Sequence, residues 1–172
     1  MKNLSLNEIK KWNDFEDLVA AYFRQVKLDK EVNIESVEVQ QTGTGGDGGR
    51  DILVSFIVND SVMTFKRIWV VQCKFYNQDV SKSHLSDINI PSLIHQYAAN
   101  GYLLICKKNI TSTLSASFES LNKNCKFGYR YEFWNQNNLL GRIRLKEEVV
   151  KTFFPLHAKY LEKQETKKLK FT

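Results

Sequence analysis

The chain has 172 residues, 42% of them hydrophobic and 26% charged, enough apolar material for one sizeable core. A formal charge of +6 and a pI near 9.2 favour polyanionic partners without identifying one. No apolar run is long enough to cross a bilayer and no signal-type stretch follows Met1, so the expectation is a soluble, cytoplasmic protein with no membrane partner. Three cysteines without C-x-x-C spacing argue against both a disulfide framework and a structural zinc site.

Phe15, Leu18, Val19, Tyr22, Phe23 and Val26 recur at helical spacing and predict an amphipathic first helix whose aromatics are core, not a base-stacking platform. Ile34 to Gln40 reads as a strand rich in β-branched residues. The glycine-rich turn GTGGDGGR then delivers Asp51 to a second strand, and a polar turn at Asn59, Asp60 and Ser61 leads into a third, RIWVVQCKFY. Ser81 to Asn89 is expected to be helical. Pro91 restarts a short helix in its first turn, and Gly101 closes that helix before the strand Tyr102 to Cys106. Thr111 can cap a helix carrying Leu114, Phe118 and Leu121, and Tyr129 to Trp134 is a further strand. The stretch NNLLGRIRLKEEVVKTFF predicts one or two helices packed on the edge of the domain.

This order implies an α/β sandwich with a central mixed sheet flanked by helices, since hairpins give antiparallel pairs and helical crossovers parallel ones. We expect one domain over residues 1–158 and a basic tail or linker over 159–172, which carries Lys159, Lys163, Lys167 and Lys168.

Gln72 and Lys74 stand two apart on one strand and so share a face. Pairing outward from the turn near Asp60 places Asp51 roughly opposite them. A carboxylate, an amide and an ammonium then meet at one sheet edge, beside a loop without bulky side chains, in the manner of a metal and phosphate site.

The succession G-x-G-G-D-G-G-x-D, an apolar strand and V-Q-C-K resembles the Mrr-like branch of the PD-(D/E)xK nuclease superfamily, over about Phe15 to Trp134. The resemblance implies the restriction-endonuclease-like sandwich, with Asp51 as the metal-ligating acid and Lys74 beside the scissile phosphate. Gln72 takes the place of the superfamily's second acid, and Glu16, in FEDLVAAYF, matches the acid of the first helix. Two departures are visible: Arg50 and not proline precedes Asp51, and Gln72 replaces a carboxylate.

Phosphodiester hydrolysis then has its parts. Mg²⁺, for which Mn²⁺ is a substitute, prefers oxygen ligands and retains water, so Asp51, Glu16 and the backbone carbonyl of Cys73 can hold it. Lys74 can stabilise transition-state charge, and the backbone at Gly46, Gly48 and Gly49 can approach a phosphate. The expected activity is metal-dependent hydrolysis of double-stranded DNA in defence against foreign or modified DNA. A non-catalytic nucleic-acid- or partner-binding module of the same fold, and an RNase with the same site, are the rivals. A homodimer and a fused or partner module supplying specificity are the protein partners left open.

Each residue also has a plainer reading. Asp51 can brace the glycine turn, Lys74 can be a solvated strand end, and Gln72 can bond a neighbouring backbone. Asp14 and Asp17 compete with Glu16, because any acid favours a helix N-terminus. Asp47 shapes the glycine turn, His84, His95 and His157 lack metal-ligand spacing, and Cys73 and Cys106 read as buried thiols.

Overall fold

The computed structural model describes residues 4–26, 33–42 and 50–169. After a 3-10 turn at Leu6–Glu8, the order is α1 (Trp12–Val26), β1 (Ile34–Gln41), β2 (Ile52–Asn59), β3 (Thr64–Lys74), α2 (Ile90–Gln96), β4 (Gly101–Cys106), α3 (Ser112–Asn124), β5 (Arg130–Trp134), α4 (Gln136–Ile143), α5 (Glu147–Phe153) and α6 (Pro155–Leu169). One five-stranded sheet runs in the order β1-β2-β3-β4-β5. Its first three strands are antiparallel and its last three parallel, so β3 belongs to both halves of a mixed sheet.

Two apolar layers cover the sheet. On one face Phe15, Leu18 and Val19 of α1, with Leu139 and Ile143 of α4, Val150 of α5 and Phe154 just after it, pack on Val54, Val71 and Ile105. On the other, Ile94, Leu114 and Phe118 pack on Val70, Tyr102 and Leu104. All six residues of β4 are buried, as expected of a strand covered on both faces. The aromatic stripe of α1 is core, with Phe15, Tyr22 and Phe23 all buried. The hairpin turns where its polar residues allow: Asn59 Oδ1 accepts the Ser61 N–H and Asp60 Oδ1 accepts those of Val62 and Met63. The Thr111 side chain caps α3. Position 158–159, where the tail was set to begin, lies inside α6.

Two local expectations are corrected. Ser81 to Asn89 is not a helix but holds a single 3-10 turn, Lys82–Leu85. Its short polar side chains take the local bonds that a helix needs: the Ser81 N–H donates to His84 Nδ1 and Ser86 Oγ to the Ser83 carbonyl. Asn89 meanwhile caps α2. Gly101 does not end α2 either. Ala98 is the residue with a left-handed backbone, φ 46°. The Ala98 and Ala99 N–H groups donate to the His95 and Ile94 carbonyls in a Schellman closure.

Gly101 opens β4 because nothing larger fits: a Cβ there would lie 2.7 Å from the Arg130 carbonyl oxygen and 2.7 Å from the Trp69 ring. Gly101→Ala should therefore destabilise the protein by about 1–3 kcal/mol through overpacking. Ala98→Gly, relieving the left-handed alanine, should stabilise it by about 0.5–1 kcal/mol. Urea unfolding of the two variants checks both signs, and a neutral Gly101→Ala would mean that the strand entrance yields freely.

Candidate active site

Strand register puts the central residues together. The β2–β3 ladder ends at Ile52 opposite Val71, so Asp51 comes beside Gln72. Asp51 is tied down by its backbone: its N–H donates to the Val71 carbonyl, and its carbonyl accepts from the Thr42 N–H at 2.9 Å and Thr42 Oγ1 at 3.0 Å. Thr42 thus pins the two ends of the glycine turn together. The turn itself, with Asp47 and the phosphate-contact positions Gly46, Gly48 and Gly49, lies outside the described residues.

With β2 finished, the Cys73 N–H has no strand partner, and Asp51 Oδ2 accepts it at 2.5 Å. A strand residue points its N–H and C=O to one side. The Cys73 carbonyl therefore also faces the Asp51 side, and it is the group of that residue able to offer an oxygen. The Cys73 thiol is not: burial first, then the carboxylates of Asp51 and Glu16, push it well above its usual range. Burial likewise pushes Cys106 up to about 12, so both remain protonated fillers of the core.

Glu16 reaches the same place from the first turns of α1. Burial, then the charges of Asp51 and Asp17, push its carboxyl up to about 7. Asp51 is raised too, chiefly by burial, although the Cys73 N–H and Lys74 pull it down. The rival acids separate clearly. Asp17 Oδ1 accepts from Gln41 Nε2, whose Oε1 accepts from Arg24, so Asp17 straps α1 to the end of β1. Asp14 lines the cleft mouth.

Asp51, Glu16, Gln72 and Lys74 share a cleft of about 860 Å³. The end of β3 lines it, together with Lys10, Lys11, Trp12, Phe75 and Tyr76. Phe75 meets Phe15 at a tilt, with ring centroids 5.3 Å apart, which seats the β3 exit against α1. Trp12 is 54% exposed and Tyr76 38%. Lys107 Nζ lies 4.1 Å over Phe75. The basic and aromatic rim was not singled out from sequence, although the run Lys10-Lys11-Trp12 carries the signal. Gln72 is buried and accepts a hydrogen bond from the Tyr102 hydroxyl at 2.8 Å, a contact that no sequence spacing announces.

The donor set fits a hard divalent cation. Two carboxylates raised chiefly by burial, one of them also by the other's charge, mark a spot where a cation is favoured, and one or two carboxylates beside water suffice for such an ion. Among the described residues no group of three or more His, Cys, Asp or Glu forms a closed metal cage. His84 is engaged instead by Ser81 and by a tilted ring contact 4.8 Å from Tyr76.

The raised Glu16 has a stability signature. Its folded value of about 7 lies above the usual 4.5, so its contribution to stability is full below 4.5 and is lost as the pH rises through about 7. In EDTA, Glu16→Gln should melt like wild type near pH 4.5 and above it past pH 7. Divalent metal at high pH should raise the wild-type melting temperature more than the variant's. Parallel melting curves at every pH would mean that neither burial nor the charge of Asp51 raises Glu16.

Comparison with known proteins agrees with this geometry. The Mrr catalytic family model, described as a restriction endonuclease, matches residues 8–139. Among solved structures, the MspJI restriction endonuclease in complex with a 27-mer oligonucleotide superposes with a TM-score of 0.54 at 14% identity, covering 76% of this chain and 27% of that one. The DNA modification-dependent restriction endonuclease AspBHI superposes with a TM-score of 0.51 at 12% identity, covering 95% of this chain and 43% of that one. This chain thus spans less than half the length of either neighbour, and at these identities the likeness is one of fold. No curated protein matches. With most of its length under the family model and the nuclease fold around the cleft, the chain belongs to the Mrr-type restriction endonuclease family.

Proposed function

We propose that this chain is the catalytic domain of a divalent-metal-dependent endonuclease that hydrolyses phosphodiester bonds of double-stranded DNA, in defence against foreign or modified DNA. The observation that carries the reading is the meeting of Asp51, Glu16 and Lys74 in one basic-rimmed cleft, with Asp51 locked to the β3 backbone. Restriction endonucleases as a class use divalent metals, and Mg²⁺, or Mn²⁺ in its place, suits an all-oxygen donor set.

Asp51, Glu16 and the Cys73 carbonyl would hold the ion. When bound, it supplies Lewis-acid polarisation of the phosphoryl oxygen and a more acidic water. The Cys73 N–H fixes one oxygen of Asp51, so the other keeps a set direction toward the cleft. Lys74, on the same strand, places a compact cation where negative charge builds on the phosphoryl oxygens. Lys10 and Lys11 at the rim attract the polyanion. The backbone at Gly46, Gly48 and Gly49 is assigned to the phosphate next to the cut. Residues 159–172, which begin inside α6, are assigned as a basic tail or linker, and a fused or partner module would supply specificity.

Asp51→Asn retains an acceptor for the Cys73 N–H while removing the charge, so it should fold as wild type and lose plasmid cleavage, as EDTA treatment should. Full activity of this variant in Mg²⁺ would sink the assignment. Lys74→Met should lower the single-turnover rate by about 10²–10³-fold, while the salt slope of DNA binding changes by only about one. Loss of binding with an unchanged rate on bound DNA would make Lys74 an anchor for DNA and nothing more.

A further inference from the structure

Gln72 lines the cleft between Asp51 and Lys74, yet it is only 4% exposed. Its Oε1 accepts from the Tyr102 hydroxyl at 2.8 Å. Tyr102 is 0% exposed and belongs to the layer beneath α2 and α3. The bond is directional. A buried hydroxyl has one hydrogen that needs an acceptor, and among the described residues Gln72 Oε1 is that acceptor. Turning the amide over would set NH₂ against the hydroxyl oxygen and strand the hydroxyl hydrogen in the core. Leaving a buried donor unpaired biases the equilibrium roughly 10- to 100-fold toward the orientation observed.

A planar amide whose oxygen is drawn to the core turns its nitrogen the other way. Among the described residues Gln72 Nε2 has no hydrogen-bond partner, and the free space beside the residue is the cleft. An amide nitrogen gives two N–H donors and is no ligand for a divalent cation.

We propose that Tyr102 is a positioning residue that holds the Gln72 amide with its nitrogen toward the cleft, making Gln72 a donor to a non-bridging phosphate oxygen and not a ligand of the metal. The inference rests on the nuclease reading of this cleft. It gives Gln72 and Lys74, two residues apart on one strand face, a common task as a neutral and a charged donor to the same phosphate. It also leaves Asp51 and Glu16 as the charged ligands, together matching one divalent ion.

The test uses Gln72→Met, Tyr102→Phe and the double variant on the full chain. Calorimetric Mn²⁺ titration should give affinities within about threefold of wild type for all three, because no metal ligand is removed. Single-turnover cleavage of a bound duplex should fall about 10²-fold in Gln72→Met, as for loss of one oxyanion donor, and about tenfold in Tyr102→Phe. Tyr102→Phe should cost nothing further in the Gln72→Met background, since it acts through that amide. A merely structural Tyr102 would slow both backgrounds equally. The double variant removes both polar partners and should melt no lower than Gln72→Met, which keeps the comparison sound if the single variant folds poorly.

A loss of more than about tenfold in Mn²⁺ affinity in the double variant would make the Gln72 oxygen a ligand and overturn the proposal. If wild type neither binds Mn²⁺ nor cuts, the nuclease reading fails, and orientation is then read alone. The Gln72 NH₂ pair, recognised in a proton–nitrogen spectrum as the one missing from Gln72→Met, should exchange readily with water. A pair protected by a bond to Tyr102 would overturn the orientation whatever the cleavage result.

Discussion

The site depends on one hydrogen bond, from the Cys73 N–H to Asp51 Oδ2. A strand whose neighbour ends early exposes a row of backbone donors and acceptors, and such groups must find partners when half-buried. Here β2 begins at Ile52, opposite Val71 and two residues short of the position that would face Cys73, and the Asp51 side chain stands in for the missing strand. The substitution does two things together. It satisfies the orphan N–H, and it fixes a carboxylate at the point where β3 leaves the sheet, between the positions that carry Gln72 and Lys74.

The electrostatics follow from that placement. Burial raises Asp51, the Cys73 N–H and Lys74 lower it, and Glu16 across the cleft rises to about 7. Acids held together at partial burial store repulsion that a cation relieves, which is the electrostatic form of a binding site. The surrounding lysines act at longer range. Lys10 and Lys11 line the cleft and Lys107 lies over Phe75, which places cations around its acids.

Much of this was legible in the chain because it rests on strand arithmetic. The alternation Gln72, Lys74 and the polar turn at Asn59 to Ser61 give the Asp51 register to within a residue, and the stripe from Phe15 to Val26 gives the first helix. What was not legible depends on contacts between distant elements. Asp14, Glu16 and Asp17 are equivalent as letters; the strap to Gln41 and Arg24 takes Asp17 away, and the charge of Asp51 acting on Glu16 singles that acid out. Gly101 looked like a helix stop because glycine commonly is one, but here Trp69 and Arg130 crowd the strand entrance and a left-handed alanine does the stopping. The Ser81 to Asn89 segment, expected to be helical, gives up that form to local side-chain bonds.

The mixed pairing of β3 divides the custody of its end between two parts of the fold. The bond that anchors Asp51 spans 22 positions, within the β2–β3 hairpin unit, whereas the Tyr102 bond to Gln72 spans 30 and lies across the parallel β3–β4 seam. A local opening that parted β4 from β3 would therefore release the amide while the hairpin kept its carboxylate. Two polar groups that are neighbours in space thus answer to different units of the structure, and one can loosen without the other.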